Sequence, residues 1–181
     1  MTERATRFLP GLRGLDHIGF TVPDIDAATD FFVNVIGCEA VYELGPIGAD
    51  DDWMRSHLGV HPRARIKKLR FLRCGHGSNF ELFEYEASDQ QSVSPKNSDI
   101  GGHHLAFYVD DFDAALVFLE DQGVRIMGEP TVREAGPSAG LTWVYFLTPW
   151  GMQCELVSFP AGKAYENTTD RRLWEPRFPD R

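Results

Sequence analysis

The chain has few cysteines, three in 181 residues, and they are widely spaced at Cys38, Cys74 and Cys154. No pair has the close thiolate spacing that structural zinc and dithiol redox motifs use. Three unpaired thiols therefore point to a reducing, cytoplasmic setting. There is no run of about 18 apolar residues, and the opening MTERATRFLPGLRG lacks the apolar stretch of a signal peptide, so neither export nor a membrane span is expected. Basic residues are also in deficit, 18 against 27 acidic, for a formal charge of -9. That field repels phosphate backbones and anionic bilayers, so neither nucleic acid nor membrane is an expected partner. What remains is an ordinary folding composition, 43% hydrophobic and 25% charged, of single-domain length.

The most informative feature is an internal repeat. The segment LDHIGFTVPDIDAATDFF, from Leu15, overlays HHLAFYVDDFDAALVFL, from His103, when His17 is matched to His104. Phe20 then meets Phe107, Val22 meets Val109, Asp24 meets Asp111, and Phe31 meets Phe118. Each copy alternates apolar residues, places an Asp, continues at helical spacing and closes on glycine, Gly37 or Gly123. That grammar is strand, N-cap, helix, C-cap. Strand-like runs follow at 39–44, 66–73 and 79–86 in the first copy, and at 124–127, 141–147 and 152–158 in the second. The fold class is α+β, two tandem βαβββ modules: 13–86 with an insertion at 43–65, a linker at 87–100, a second module at 101–160 and a C-terminal arm at 161–181. The insertion carries a short helix near Trp53 to Leu58 and reads as a lid or a subunit contact. The arm, with Trp174 and Phe178, reads as a strap across a neighbouring subunit.

Strand alternation turns Ile18, Phe20 and Val22 towards the helix and His17, Gly19 and Thr21 away from it; Leu105, Phe107 and Val109 oppose His104, Ala106 and Tyr108 in the same way. The last strands repeat a carboxylate in an apolar context, Glu81 in FELF and Glu155 in CELV. The repeat thus supplies His17, Glu81, His104 and Glu155. Carboxylates facing apolar surroundings need a partner, and two beside two imidazoles suit a divalent cation with open positions for a substrate. Glu84 lies on the opposite strand face and His103 has no counterpart in the first copy, so both read as neighbours. The run Arg63, Arg65, Lys67, Lys68, Arg70 and Arg73 reads as an exposed edge strand guarded by charge, or as a receiver of a substrate anion.

DHIGFTVPD, FELFEYE, GHHLAFYVDD and TPWGMQCELVSF resemble the vicinal oxygen chelate superfamily of glyoxalases, bleomycin resistance proteins and dioxygenases, over about residues 13 to 160. The resemblance implies modules forming a half-open barrel and one divalent metal ion (zinc, nickel, cobalt, manganese or iron) on His17, Glu81, His104 and Glu155. It also implies a homodimer acting on a small molecule. The expected activity is that of a metal-dependent lyase or isomerase stabilising an enolate of a small carbonyl substrate, with Glu155 first and Glu81 second as the proton-transfer base. An extradiol-type dioxygenase and a non-catalytic binding or resistance protein are the alternatives. The first strands look most like methylmalonyl-CoA epimerases, although 66–73 holds no second carboxylate. Thr21 stands where bacterial glyoxalase I has an Arg for glutathione, which disfavours that thiol. Phe83, Tyr85, Tyr108, Val157 and Trp53 are the expected substrate-binding residues.

Overall fold

The computed structural model describes residues 9–50 and 52–180; most of the N-terminal segment, Asp51 in the insertion and Arg181 in the arm lie outside them. Strand β1 (His17–Thr21) leads into helix α1 (Ile25–Asp30), which continues as a π-helical turn over Phe31–Ile36. Strand β2 (Glu39–Leu44), helix α2 (Trp53–Leu58), β3 (Arg65–Arg73) and β4 (Asn79–Glu86) complete the first module. The second runs β5 (Leu105–Tyr108), α3 (Phe112–Asp121), β6 (Arg125–Val132), β7 (Thr142–Leu147) and β8 (Gln153–Ser158), followed by a 3-10 turn at Ala164–Asn167. Each module is one four-stranded sheet, in the orders β1-β4-β3-β2 and β5-β8-β7-β6, with the first and last strands of each module parallel and the other pairs antiparallel. Among the described residues no helix is long and apolar enough to cross a membrane.

The local signals act as their chemistry requires. The Asp24 carboxylate accepts from the amides of Asp26 and Ala27 at 3.0 and 2.9 Å, and Asp111 accepts from Ala114 at 3.0 Å, satisfying N–H groups that a helix start leaves unpaired. Gly37 closes the first helix with φ of 90°, a left-handed conformation that disfavours a Cβ.

The helix-facing sides of both sheets share one core. Phe20, Phe80 and Leu82 from the first module and Leu105, Phe146 and Leu156 from the second are buried in it, with the helix residues Ile25, Phe32 and Leu119. Phe80 meets Phe107 edge-on at 6.2 Å, and Phe31 and Phe32 meet Trp150 at 5.9 and 5.8 Å. The modules therefore pack back to back, and the opposite sheet faces point outwards.

Two expectations are corrected here. Cys38 and Cys74 are joined by a disulfide, leaving only Cys154 free, because β2 and β3 run side by side from Glu39 opposite Arg73 and bring the preceding and following residues together. All of the basic run but Arg63 lies on an internal strand: β3 is flanked by β4 and β2, and Arg65, Lys67, Lys68 and Arg70 pair with carboxylates. Lys68 donates to Asp26 at 2.6 Å, Arg70 donates to Asp26 and Glu43, and Lys67 pairs with Glu84, so these cations clamp α1 and β2 onto the sheet. The arm folds back on its own module. Arg177, 9% exposed, pairs with Glu175 at 2.7 Å, donates to the Pro160 carbonyl at 3.0 Å and lies over the Phe159 ring at 4.9 Å.

Candidate active site

The two outward faces carry the same constellation. On the first, parallel pairing sets Gly19 beside Glu81, and antiparallel pairing sets Phe71 opposite Glu81. His17 Nε2 stands 3.1 Å from Glu81 Oε2, and the Phe71 ring meets the imidazole edge-on at 5.5 Å. On the second, Ala106 is beside Glu155 and Tyr145 opposite it. His104 Nε2 is 3.0 Å from Glu155 Oε2, and the Tyr145 ring is edge-on to that imidazole at 5.2 Å. Both carboxylates are largely sequestered, 17% exposed at Glu81 and 13% at Glu155. The aromatic partners Phe71 and Tyr145 were not singled out from sequence; the strand register that puts each opposite a Glu is the signal that finds them.

The far ring nitrogens are oriented differently. His17 Nδ1 is held by the Asp16 carboxylate at 2.8 Å, and His104 Nδ1 lies 3.3 Å from the Asn97 amide. The Asp16 hydrogen bond is the main reason that the His17 pKa is raised above the ordinary imidazole value, with Glu81 adding to it. Burial pushes the Glu155 carboxyl above the usual carboxylate range, opposed by the positive character of His104. Gly19 has a steric role: a Cβ there would lie 3.3 Å from both Glu81 Oε2 and the Phe83 ring, so its absence leaves the carboxylate room.

Phe83 and Tyr85 lie on the Glu81 face and stack at 5.5 Å. Tyr108 packs edge-on against Phe159 at 4.8 Å, with its phenol pKa pushed up to about 12 by burial first and by Asp110 second. Val157 sits opposite Trp143 on the Glu155 face. Trp53 stacks on His57 at 4.7 Å; its neighbour Met54 is the insertion residue buried with Ile66 and Leu69, closing one end of the first face beside Phe83 and Tyr85. Glu84 points into the opposite side, accepting from the Ile25 amide at 3.1 Å and from Lys67, and His103 Nδ1 contacts the Gly101 carbonyl.

Residues 16–142 match the model of the Glyoxalase/Bleomycin resistance protein/Dioxygenase superfamily. The chain belongs to this superfamily. As a glyoxalase-superfamily protein it is 48% identical over 171 residues, 94% of this chain and 92% of the relative, to the 2-epi-5-epi-valiolone epimerase of an Actinomyces species. It is 30% identical over 128 residues, 67% of this chain and 81% of the relative, to an ethylmalonyl-CoA/methylmalonyl-CoA epimerase of Cereibacter sphaeroides. Among solved structures, a glyoxalase family protein from Bacillus cereus aligns with a TM-score of 0.62 over 81% of this chain and 94% of that one, at 19% identity, a likeness of fold alone.

The metal that the superfamily resemblance implies can be tested against the donors. His17 and Glu81 form one pair and His104 and Glu155 another, on faces directed away from a common core, and no group of three or more His, Cys, Asp or Glu side chains among the described residues is placed to hold an ion. Two donors fall short of the three or four protein ligands that a transition-metal site uses. The donor set of one chain, taken alone, does not fit the group.

Proposed function

We propose that this protein is an epimerase acting on a valiolone-type polyhydroxylated cyclic ketone, inverting the carbon next to the carbonyl through an enolate. The observation that carries the reading is the pair of sequestered carboxylates, Glu81 and Glu155, each beside an imidazole at equivalent strand positions. The 48% identity to a 2-epi-5-epi-valiolone epimerase across nearly the whole chain supports the substrate class. The acyl-CoA epimerase among the relatives supports the reaction class.

Epimerisation needs one base to take the proton from the carbon and one acid to return a proton to its opposite side. The C–H electron pair moves onto the carbonyl oxygen as the enolate forms, and returns to carbon as the second carboxyl delivers its proton. Glu155 is the first base: its partial burial raises its proton affinity towards the operating range, where a carboxylate transfers protons well. Its imidazole neighbour His104 keeps the carboxylate form accessible. Glu81 of a second copy, in the equivalent setting, serves the other side, since within one chain the two faces point away from each other. This places the second acid/base on β4, which accounts for the lack of a carboxylate at 66–73. Aromatic and aliphatic residues on these faces, Phe83, Tyr85, Tyr108 and Val157, wall the substrate and exclude water from the enolate.

The test is incubation with 2-epi-5-epi-valiolone in deuterium oxide, followed by proton NMR, with and without added divalent ions. One deuteron should enter at the carbon beside the carbonyl as the epimer appears, and Glu155→Gln should slow exchange by about a hundredfold or more. No exchange above the protein-free rate under any of these conditions refutes the proposal. Oxygen uptake with a catechol would point to a dioxygenase instead, and saturable binding without exchange to a binding protein.

A further inference from the structure

Resting on the epimerase reading, we infer that Asn97, in the segment between the modules, is a positioning residue for the base Glu155 and acts on it through His104. The sequence marks 87–100 as a connection, yet its last turns are built against the second His–Glu pair. The Lys96 amide donates to the Asp99 carboxylate at 2.9 Å, the Asp99 amide donates back to the Lys96 carbonyl at 2.9 Å, and the Gly102 amide donates to the Asp99 carbonyl at 2.8 Å. Gly102 is pressed against the same carbonyls: a Cβ there would lie 2.0 Å from the Lys96 oxygen and 2.8 Å from the Asp99 oxygen, so any side chain would force the turn open. The path from Asn97 to His104 is therefore a closed loop rather than a loose tether. It sets the Asn97 amide nitrogen 3.3 Å from His104 Nδ1 and in a hydrogen bond with the Tyr145 phenol, whose ring stands edge-on to the same imidazole.

Hydrogen-bond polarity gives that contact its consequence. A neutral imidazole has one N–H and one bare nitrogen, and the partner of one nitrogen decides the state of the other. An amide N–H donates, so Asn97 leaves Nδ1 bare and puts the ring proton on Nε2, where Glu155 Oε2 accepts it at 3.0 Å. The opposite tautomer would set a nitrogen lone pair against the carboxylate. Nε2–H thus occupies one oxygen of Glu155 and leaves the other for the substrate C–H. The first face is wired the other way: the group on His17 Nδ1 is the Asp16 carboxylate, which when ionised only accepts. Two imidazoles at equivalent strand positions are held by groups of opposite polarity, and the second holder is supplied by the connection, outside the repeat.

Ring-nitrogen NMR of the full chain separates this role from a merely structural one. In long-range proton–nitrogen spectra at about pH 8.5, above the ordinary imidazole range, the His104 signals are assigned by their loss in His104→Gln. The ring proton should sit on Nε2 in wild type and on Nδ1 in Asn97→Asp, whose carboxylate accepts where the amide donates. In the deuterium-exchange assay Asn97→Asp should lower kcat about a hundredfold and Asn97→Ala about tenfold, each with KM within about twofold of wild type, because Asn97 orients the base without touching the substrate. Asn97 is exposed, so both variants should keep the wild-type Tm. Gly102→Ala, which leaves the Asn97 side chain intact and opens the turn beneath it, should reproduce Asn97→Ala. A wild-type His104 protonated on Nδ1, the same tautomer in wild type and Asn97→Asp, or an unchanged kcat in Asn97→Asp would each overturn the assignment. The expected tautomers in a wild type that exchanges no deuterium would uphold the hold of Asn97 on the ring and sink the epimerase reading instead.

Discussion

Glu84 differs from its neighbours Glu81 and Glu86 in having a structural task, and replacing it gives a quantitative check on the way the first helix is docked. Its side chain, 11% exposed, accepts from the amide of Ile25, which is fully buried, while Asp24 accepts from the next two amides and Lys67 pairs with the remaining carboxylate oxygen. Glu84→Ala leaves the Ile25 N–H buried without that acceptor and removes a negative charge from a helix start. Lys67 is half-exposed and is rehydrated at little cost. A charged hydrogen bond and the dipole contribution together come to about 2–3 kcal/mol. For a chain of this size that is a fall in Tm of about 5–10 °C. Glu84→Gln keeps an acceptor and loses only the charge, for about 1 kcal/mol.

The charge also carries a pH signature. Burial raises the Glu84 pKa, but Lys67 and the Ile25 amide outweigh it and hold it below the ordinary 4.5. A depressed carboxyl stabilises the fold above its unfolded value and ceases to do so as the pH falls through the folded value. The gap in Tm between wild type and Glu84→Gln should therefore be constant from pH 7 to about 5 and close as the solution is acidified below about 4.5. Calorimetry across that range is the assay. A Glu84→Ala chain that melts within 2 °C of wild type, or a Gln variant whose deficit persists at about pH 2, would refute the assignment. The kcat per folded molecule should be unchanged.

Other substitutions probe other elements. Gly19→Ala puts a methyl 3.3 Å from the Glu81 carboxylate and should lower kcat about tenfold or more with little change in Tm; unaltered kinetics would remove Glu81 from the chemistry. Cys38→Ser/Cys74→Ser opens a loop spanning 36 residues and should cost about 3–4 kcal/mol by chain-entropy reasoning, read by urea unfolding; thiol titration of unreduced, denatured wild type should count one cysteine. Trp150→Ala removes the ring on which Phe31 and Phe32 rest and should cost about 3 kcal/mol and speed proteolysis of the 87–100 linker; unchanged cleavage would mean that the module contact does not depend on it.

The repeat made most of the architecture readable. Matching His17 to His104 locates both capping aspartates, both closing glycines and the strand faces, because alternation and helical spacing are properties of a few consecutive residues. Glu81 and Glu155 follow from the same logic, and each stands within hydrogen-bond distance of the histidine with which it was grouped. Relations between strands were not readable. That β3 is internal depends on strand order, which places β4 between β1 and β3, and the cations of β3 find their partners on α1 and β2 only once that order exists. The Cys38–Cys74 bond is likewise a matter of register. Nor does local pattern say on which side of a sheet the other module will pack, and that choice decides whether the four site residues meet within a chain.

The two equivalent faces are closed at their ends by unrelated means. On the first, the insertion seals one end through Met54; near the second, the Phe159–Lys163 turn and the returning arm close around Tyr108. Neither sealing segment contributes a strand to the ladders that hold the His–Glu pairs in register. Either segment can therefore be lengthened, shortened or recomposed without disturbing the His–Glu pairs, so two matching walls carry independently adjustable ends.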